Sequence, residues 1–142
     1  MPKPRPVITL PDYWMGRDSR YRGELSLVIQ SNAQELVSRV NALTALMVGV
    51  DFELAQNGSL VTSGWRPEAV NAVTPGAAPK SKHMLGQAID LYDPDGDIDE
   101  WCMANQQMLE TFGLWLEHPS ATKGWCHLQS VPPKSLKRVF YP

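Results

Sequence analysis

The chain has 142 residues and a formal net charge of −2 at pH 7, which fits one domain with one core. Hydrophobic residues make up 43% and charged residues 20%, a globular balance that argues against disorder. A slightly acidic chain is not expected to bind nucleic acid. No apolar stretch approaches the roughly 18 residues that a membrane-spanning helix needs. We therefore expect no nucleic-acid partner and no membrane insertion, and we expect a monomer.

The amino-terminal segment is rich in proline. Within the single domain at 1–142, residues 1–12 are predicted to form an extended arm, followed at 12–21 by a short ordered segment or loop. The basic residues of the arm are not followed by an apolar stretch, which predicts that no secretory signal is present. Without export, Cys102 and Cys126 are expected to be free thiols.

The hydrophobic patterning predicts a mixture of helices and strands. Apolar residues recur at helical spacing and alternate at strand spacing in separate parts of the chain. The helices are predicted at 31–47, with Ser31 or Asn32 as the N-cap, at 68–73 and at 99–112. The strands are predicted at 59–66, 86–92, 114–118 and 125–129, the last two paired as a hairpin, and the tail beyond 132 is predicted to be irregular.

The chain has three histidines, which are His83, His118 and His127. His83 lies on a loop before a predicted strand, Asp90 lies on that strand, and His127 lies on a neighbouring strand. Zinc accepts imidazole and carboxylate ligands, and three protein ligands leave a fourth position for water. Gly86 and Ala88 would keep the intervening backbone slim where it passes the ion. Spacing alone leaves open whether each histidine is a ligand or a structural hydrogen-bonding residue.

These residues belong to a longer motif. The motif is Ser81-x-His83-x-x-Gly86-x-Ala88-x-Asp90, with Ser63-Gly-Trp-Arg66-Pro67 before it and Trp125-x-His127 after it. Its order resembles the signature of a zinc peptidase superfamily over residues 60–130. That superfamily contains D-Ala-D-Ala carboxypeptidases, D-Ala-D-Ala dipeptidases and the L-alanyl-D-glutamate endopeptidases of bacteriophage endolysins.

The resemblance implies a fold and a set of roles. It makes His83, Asp90 and His127 the zinc ligands. It also implies an α+β fold of the hedgehog and D,D-peptidase type, in which a small antiparallel sheet carries the zinc site and helices pack behind it. Arg66 matches an arginine that holds a carboxylate or carbonyl of the substrate, a task that suits a guanidinium fork.

Two further residues of the motif keep two interpretations each. Ser81 matches a serine that hydrogen-bonds the substrate backbone, although a serine at this position is also typical of a turn. Trp125 would form a wall of the cleft beside His127, although an aromatic side chain there would serve equally well in the core.

The sequence departs from the family pattern at one position. Many members carry an acidic general base three residues before the last histidine ligand, and this chain has Gly124 there. Glu117 is the nearest upstream carboxylate and our candidate for the catalytic base. It would face His127 only in one parity of the hairpin register, because a slip of one residue turns a side chain to the other face.

An acidic run at 93–100 raises the question of a second ion. Its glycine, Gly96, is the fourth residue of the run and Ala104 is at the twelfth position, whereas a calcium-binding EF-hand loop has glycine at position six and glutamate at position twelve. A turn followed by a helix N-cap is therefore the favoured interpretation.

The resemblance predicts zinc-dependent hydrolysis of peptide bonds in peptidoglycan stem peptides, with Arg66 as substrate anchor, and Glu117 is our own candidate for the base. We expect a phage endolysin-type enzyme that is made in the cytoplasm and acts on the cell wall after release. Two alternatives stay open. One is a D,D-carboxypeptidase or dipeptidase that acts on cell-wall precursors, and the other is a non-catalytic binding domain that is stabilised by a structural zinc ion.

Overall fold

A computed structural model describes residues 5–142 of the chain. The helices are α1 Leu10–Trp14, α2 Arg17–Arg20, α3 Leu27–Thr44, α4 Glu68–Ala72, α5 Asp97–Ala104 and α6 Gln106–Thr111. The strands are β1 Val61–Ser63, β2 Ala88–Asp93, β3 Trp115–Glu117, β4 Gly124–Gln129 and β5 Val139–Phe140. Among the described residues, no helix is both long enough and apolar enough to cross a membrane.

The five strands form one sheet in the order β1-β2-β4-β3-β5. The neighbouring strands are antiparallel, except that β5 runs parallel to β3. The α+β class is confirmed, whereas the sheet is mixed rather than wholly antiparallel. The difference comes from residues 139–140, in the tail that was predicted to be irregular, because they add an edge strand beside β3.

The longest helix, α3, contributes one apolar face to the hydrophobic core. Its buried face includes Ala33, Leu36, Val40 and Leu43, as the helical spacing predicts. The predicted start at residues 31–32 is wrong, because the Ser26 side chain accepts a hydrogen bond from the backbone N–H of Ile29 and begins the helix earlier. The helix also ends at residue 44, before the predicted 47.

The amino-terminal segment contributes to the core instead of forming an arm up to residue 12. Residues 1–4 of the predicted arm lie outside the described part of the chain. Beyond them, Ile8 is buried, and a capping box between Thr9 and Asp12 begins α1. The fully buried Tyr13 donates a hydrogen bond from its hydroxyl to the carbonyl oxygen of Ala88, 2.8 Å away. This bond ties α1 to the strand that carries Asp90.

Other boundaries differ in smaller ways. The predicted helix at 99–112 is two helices, α5 and α6, separated at Asn105. The predicted strand at 59–66 is reduced to the three residues of β1. Cys102 and Cys126 are both buried and free, as predicted.

Candidate metal centre

The pairing of β2 with β4 brings two of the predicted ligands together. Asp90 on β2 lies directly opposite His127 on β4, so both side chains project from the same face of the sheet. His83 comes from a short 3₁₀ turn, Lys82–Leu85, which precedes β2. One ligand atom from each of these three residues lies within 4.8 Å of the other two.

Local backbone geometry explains how the turn presents His83. The Ser81 hydroxyl accepts a hydrogen bond from the His83 backbone N–H at 3.2 Å and begins the turn. The turn ends at Gly86, which has φ +73°, a conformation that favours glycine. A Cβ on Gly86 would lie 2.8 Å from the carbonyl oxygen of Ile29. Gly86 is therefore required by its contact with α3 and not, as expected, by a backbone passing the ion.

The hydrogen bonds of His83 show which of its nitrogens is available as a ligand. Its Nδ1 lies 2.9 Å from the carbonyl oxygen of Gly64, which can only accept, so Nδ1 carries the hydrogen. A neutral imidazole then has its lone pair on Nε2, which lies 3.3 Å from Oδ2 of Asp90. Nδ1 of His127 approaches Oδ1 of the same carboxylate at 2.8 Å. Two imidazoles and one carboxylate thus converge, a donor set that fits a zinc-type ion.

The electrostatics of the cluster favour the ligand forms of His83 and Asp90, and the protonated form of His127 when no metal is bound. Burial lowers the pKa of His83, which favours the neutral form that a metal ligand needs. Burial alone would raise the pKa of Asp90, but the neighbouring imidazoles of His83 and His127 hold that pKa well below its usual range. Burial also acts to lower the pKa of His127, and the bond to Asp90 outweighs it and raises that pKa.

The three candidate ligands line a cleft of about 400 Å³, a size typical of ligand sites. The four other site residues predicted from the sequence line the same cleft, namely Arg66, Ser81, Glu117 and Trp125. His118 is not among its lining residues, and its ring stacks on Tyr141 instead.

Arg66 is held in place at the side of the cleft. Its Nε donates to the Ser63 hydroxyl at 3.1 Å, and its Nη1 donates to the Asn71 side-chain oxygen at 3.2 Å. Its Nη2 lies 3.7 Å from Oδ2 of Asp90. Asn71 in turn donates to the carbonyl oxygen of Ala78, on the loop that forms the rim of the cleft.

The hairpin register brings Glu117 to the face that carries the ligands. Leu116 pairs with Leu128, and continuing this register places Glu117 opposite His127. Burial raises the pKa of Glu117, the nearby His127 acts to lower it, and the carboxylate of Asp90 raises it further. Glu117 therefore projects from the face of the sheet that carries His127 and Asp90, as a base at this site requires.

Gly124 occupies the position, three residues before His127, at which the family pattern has an acidic residue. It begins β4 with φ +99°, a backbone conformation in which a side chain is strained. It also lies three residues from His127, so along a strand it faces the opposite side of the sheet. Because glycine has no side chain, a carboxylate that serves this site would have to come from another residue.

Sequence reasoning missed Gln129, Asn71 and Phe140, although all three contact the site residues. The signal for Gln129 was its position two residues beyond His127, which puts both on one face of a strand. Asn71 and Phe140 had no comparable local signal, because each reaches the site through the packing of a separate short element.

The sequence profile of the family described as Peptidase M15 matches residues 23–128. The chain belongs to the peptidase M15 family. M15 enzymes are metal-dependent peptidases, so the family resemblance is confirmed, and the cluster of His83, Asp90 and His127 is a set that could hold the metal of an M15 peptidase. Comparisons with curated proteins and with solved structures find no significant match.

Proposed function

We propose that the chain is a zinc peptidase that hydrolyses peptide bonds in bacterial peptidoglycan stem peptides. The proposal rests on one observation. In this member of the M15 family, one cleft is lined by the His83–Asp90–His127 cluster, Arg66 and Glu117. A metal site, an anchor for an anion and a free carboxylate are the parts that peptide hydrolysis by a metallopeptidase needs.

Arg66 is the proposed substrate anchor. Its Nε and Nη1 are engaged by Ser63 and Asn71, which fixes the plane of the guanidinium. An oriented guanidinium can donate two hydrogen bonds to a carboxylate, or one to a carbonyl, with little further loss of side-chain entropy. Stem peptides carry both groups, so this anchor would fix the peptide relative to the ligand cluster.

Glu117 is the proposed general base. Zinc bound by the three ligands would polarise the scissile carbonyl and lower the pKa of a water molecule. Glu117 would accept the proton of the attacking water and then pass it to the leaving amine. Its raised pKa suits this double task, because a stronger base accepts the first proton more readily.

The remaining walls of the cleft would bind the peptide around the reacting bond. Trp125 lies on the same strand face as His127, and Phe140 presents its ring at right angles to the His127 imidazole, with the ring centres 6.1 Å apart. Such apolar walls exclude water around the reacting groups, which strengthens the electrostatic interactions between them.

We further propose an endolysin-type role, in which the enzyme is made in the cytoplasm and cleaves after L-Ala in the wall once it has been released. The support for this role is the resemblance of the motif to the endopeptidases of phage endolysins. A D,D-carboxypeptidase would use the same cleft but would remove a terminal D-Ala, so the products separate the two activities.

The test is a digest of purified muropeptides, analysed by mass spectrometry, with zinc-loaded protein and with protein treated with a chelator. The expected result is cleavage after L-Ala that stops on chelation and returns with zinc. Release of terminal D-Ala would replace the endopeptidase with the carboxypeptidase. Zinc bound at one ion per chain without cleavage of any muropeptide would overturn the proposal in favour of a binding domain.

A further inference from the structure

Gln129 ends β4 and is almost entirely buried, with 4% of its surface exposed. Its side-chain amide makes two hydrogen bonds. The nitrogen Nε2 donates to the carbonyl oxygen of Val131 at 2.9 Å, and the oxygen Oε1 lies 3.0 Å from Nε2 of His127. A buried amide with both ends engaged has one orientation that satisfies both partners.

The carbonyl of Val131 decides that orientation. A carbonyl oxygen only accepts, so the nitrogen of the amide has to face Val131, and the oxygen has to face His127. Because that oxygen also only accepts, Nε2 of His127 carries a hydrogen. A neutral His127 then has its lone pair on Nδ1, the atom that lies 2.8 Å from Oδ1 of Asp90.

We propose that Gln129 is a positioning residue that fixes the ring orientation and tautomer of His127 and thereby raises the affinity of the site for its metal. The inference deepens the proposed function, since it rests on the same His83–Asp90–His127 cluster. Partners of this kind, which hold the outer nitrogen of a ligating histidine, typically change metal affinity by about 10–100-fold when they are removed.

The alternative tautomer shows why the partner matters. Without an acceptor at Nε2, the hydrogen of the His127 ring would be held best on Nδ1, where it can donate to Asp90. The same hydrogen bond would then occupy a nitrogen and an oxygen that the metal requires. Gln129 disfavours that arrangement by satisfying Nε2–H, and Gly64 does the same for the outer nitrogen of His83.

The affinity test compares three variants by competition for zinc against a chromophoric chelator. Gln129→Met keeps the length of the side chain and removes the acceptor, so zinc affinity should fall by about 10–100-fold. Gln129→Glu keeps the acceptor for His127 and loses the donor to Val131, so it should lose less zinc affinity than Gln129→Met does. Gln107→Met makes the same change on the exposed surface of α6 and should have no effect. Equal zinc affinity for Gln129→Met and the unmodified protein would overturn the proposal.

A second measurement needs no variant. Nitrogen NMR of the His127 ring in the zinc-loaded protein should show the hydrogen on Nε2 and the metal on Nδ1. A hydrogen on Nδ1 would overturn the proposal even if every variant failed to fold. These readouts are independent of catalysis, so a protein that cleaves no muropeptide yet shows both results would contradict the proposed function alone.

Discussion

Two aspartates three residues apart on β2 have opposite surroundings. The carboxylate of Asp90 faces two imidazole nitrogens, at 2.8 Å and 3.3 Å. The carboxylate of Asp93 accepts two backbone N–H groups, from Ile98 to Oδ1 and from Asp99 to Oδ2, both at 2.9 Å. Because the interval is odd, the two side chains project from opposite faces of the strand. One carboxylate belongs to the candidate metal centre, and the other begins α5.

The comparison shows what makes a carboxylate available to a metal. The acidic run at 93–100 contains more carboxylates than the metal centre does, but the oxygens of Asp93 are already used by the backbone of α5. Asp90 instead meets one ring nitrogen each of His83 and His127, and in the neutral form both nitrogens can act as metal ligands, so a cation can bind to all three residues. The type of neighbouring group, rather than the number of acids, separates the two clusters.

The largest effect that we expect is at the candidate ligands themselves. His83→Ala, Asp90→Ala and His127→Ala should each abolish metal binding, because each removes one of three protein ligands. Thermal stability in the presence of zinc should fall as well, since bound metal stabilises the folded state. Metal content measured by elemental analysis checks the result. His118→Ala is the matched control and should retain the metal, and stoichiometric zinc in His83→Ala would contradict the assignment.

The next effect is at Glu117. Glu117→Gln should leave zinc content and folding unchanged, because the amide is nearly isosteric and is not a ligand. Turnover should fall by about 10²–10⁴-fold, the usual contribution of a positioned base. The unmodified enzyme should gain activity as pH rises through the pKa of Glu117, since the base acts when deprotonated, and the variant should lose this acid limb. Near-full activity in Glu117→Gln would mean that the proton travels by another route.

A smaller effect is expected at Asp93, the second of the two aspartates. Asp93→Ala removes the acceptor for two N–H groups at the start of α5. Loss of a helix-capping side chain costs about 0.5–2 kcal/mol of unfolding free energy, which urea denaturation would measure. Zinc affinity should stay unchanged, because Asp93 faces away from the cleft. A parallel loss of zinc affinity would show that the two aspartates are not independent.

The clustering of His83, Asp90 and His127 could be predicted from the sequence because their geometry is local or directly paired. His83 and Asp90 belong to one short motif, and His127 follows from the pairing of neighbouring strands. The sequence left open which face of the sheet Glu117 projects from, since the hairpin register depends on how the whole hairpin packs. Its catalytic role stays a prediction.

The features that the sequence did not predict depend on a choice between two possible helix caps or on contacts that only the folded chain brings together. Both Ser26 and Ser31 could cap a helix, and the structure uses Ser26, whose hydroxyl accepts a hydrogen bond from the backbone N–H of Ile29. The strand β5 has two residues, too few for a periodic pattern, and it exists because the edge of β3 offers backbone partners. Gln129 has a clear position along β4, but its role becomes evident only with the carbonyl of Val131 beside it.

The smallest effect concerns Asp99, the buried neighbour of Asp93. Among the described residues its Oδ1 has no hydrogen-bond partner, and its Oδ2 accepts one from the hydroxyl of Thr122. Burial raises the pKa of Asp99 to about 7 from an ordinary value of 3.8, and the nearby carboxylate of Asp93 adds to the rise. The folded state therefore favours the protonated carboxyl more strongly than the unfolded state does.

A raised pKa in the folded state gives a stabilising contribution that is complete below the unfolded value and is lost as pH rises through the folded value. The contribution of Asp99 should therefore decline between about pH 4 and pH 7. Asp99→Asn cannot ionise, so its unfolding free energy should decline less than that of the unmodified protein over this window. Urea denaturation at several pH values measures the difference, with Glu100→Gln, an exposed acid of the same helix, as control. Identical pH dependence in Asp99→Asn and the unmodified protein would show that folding does not raise the pKa of Asp99.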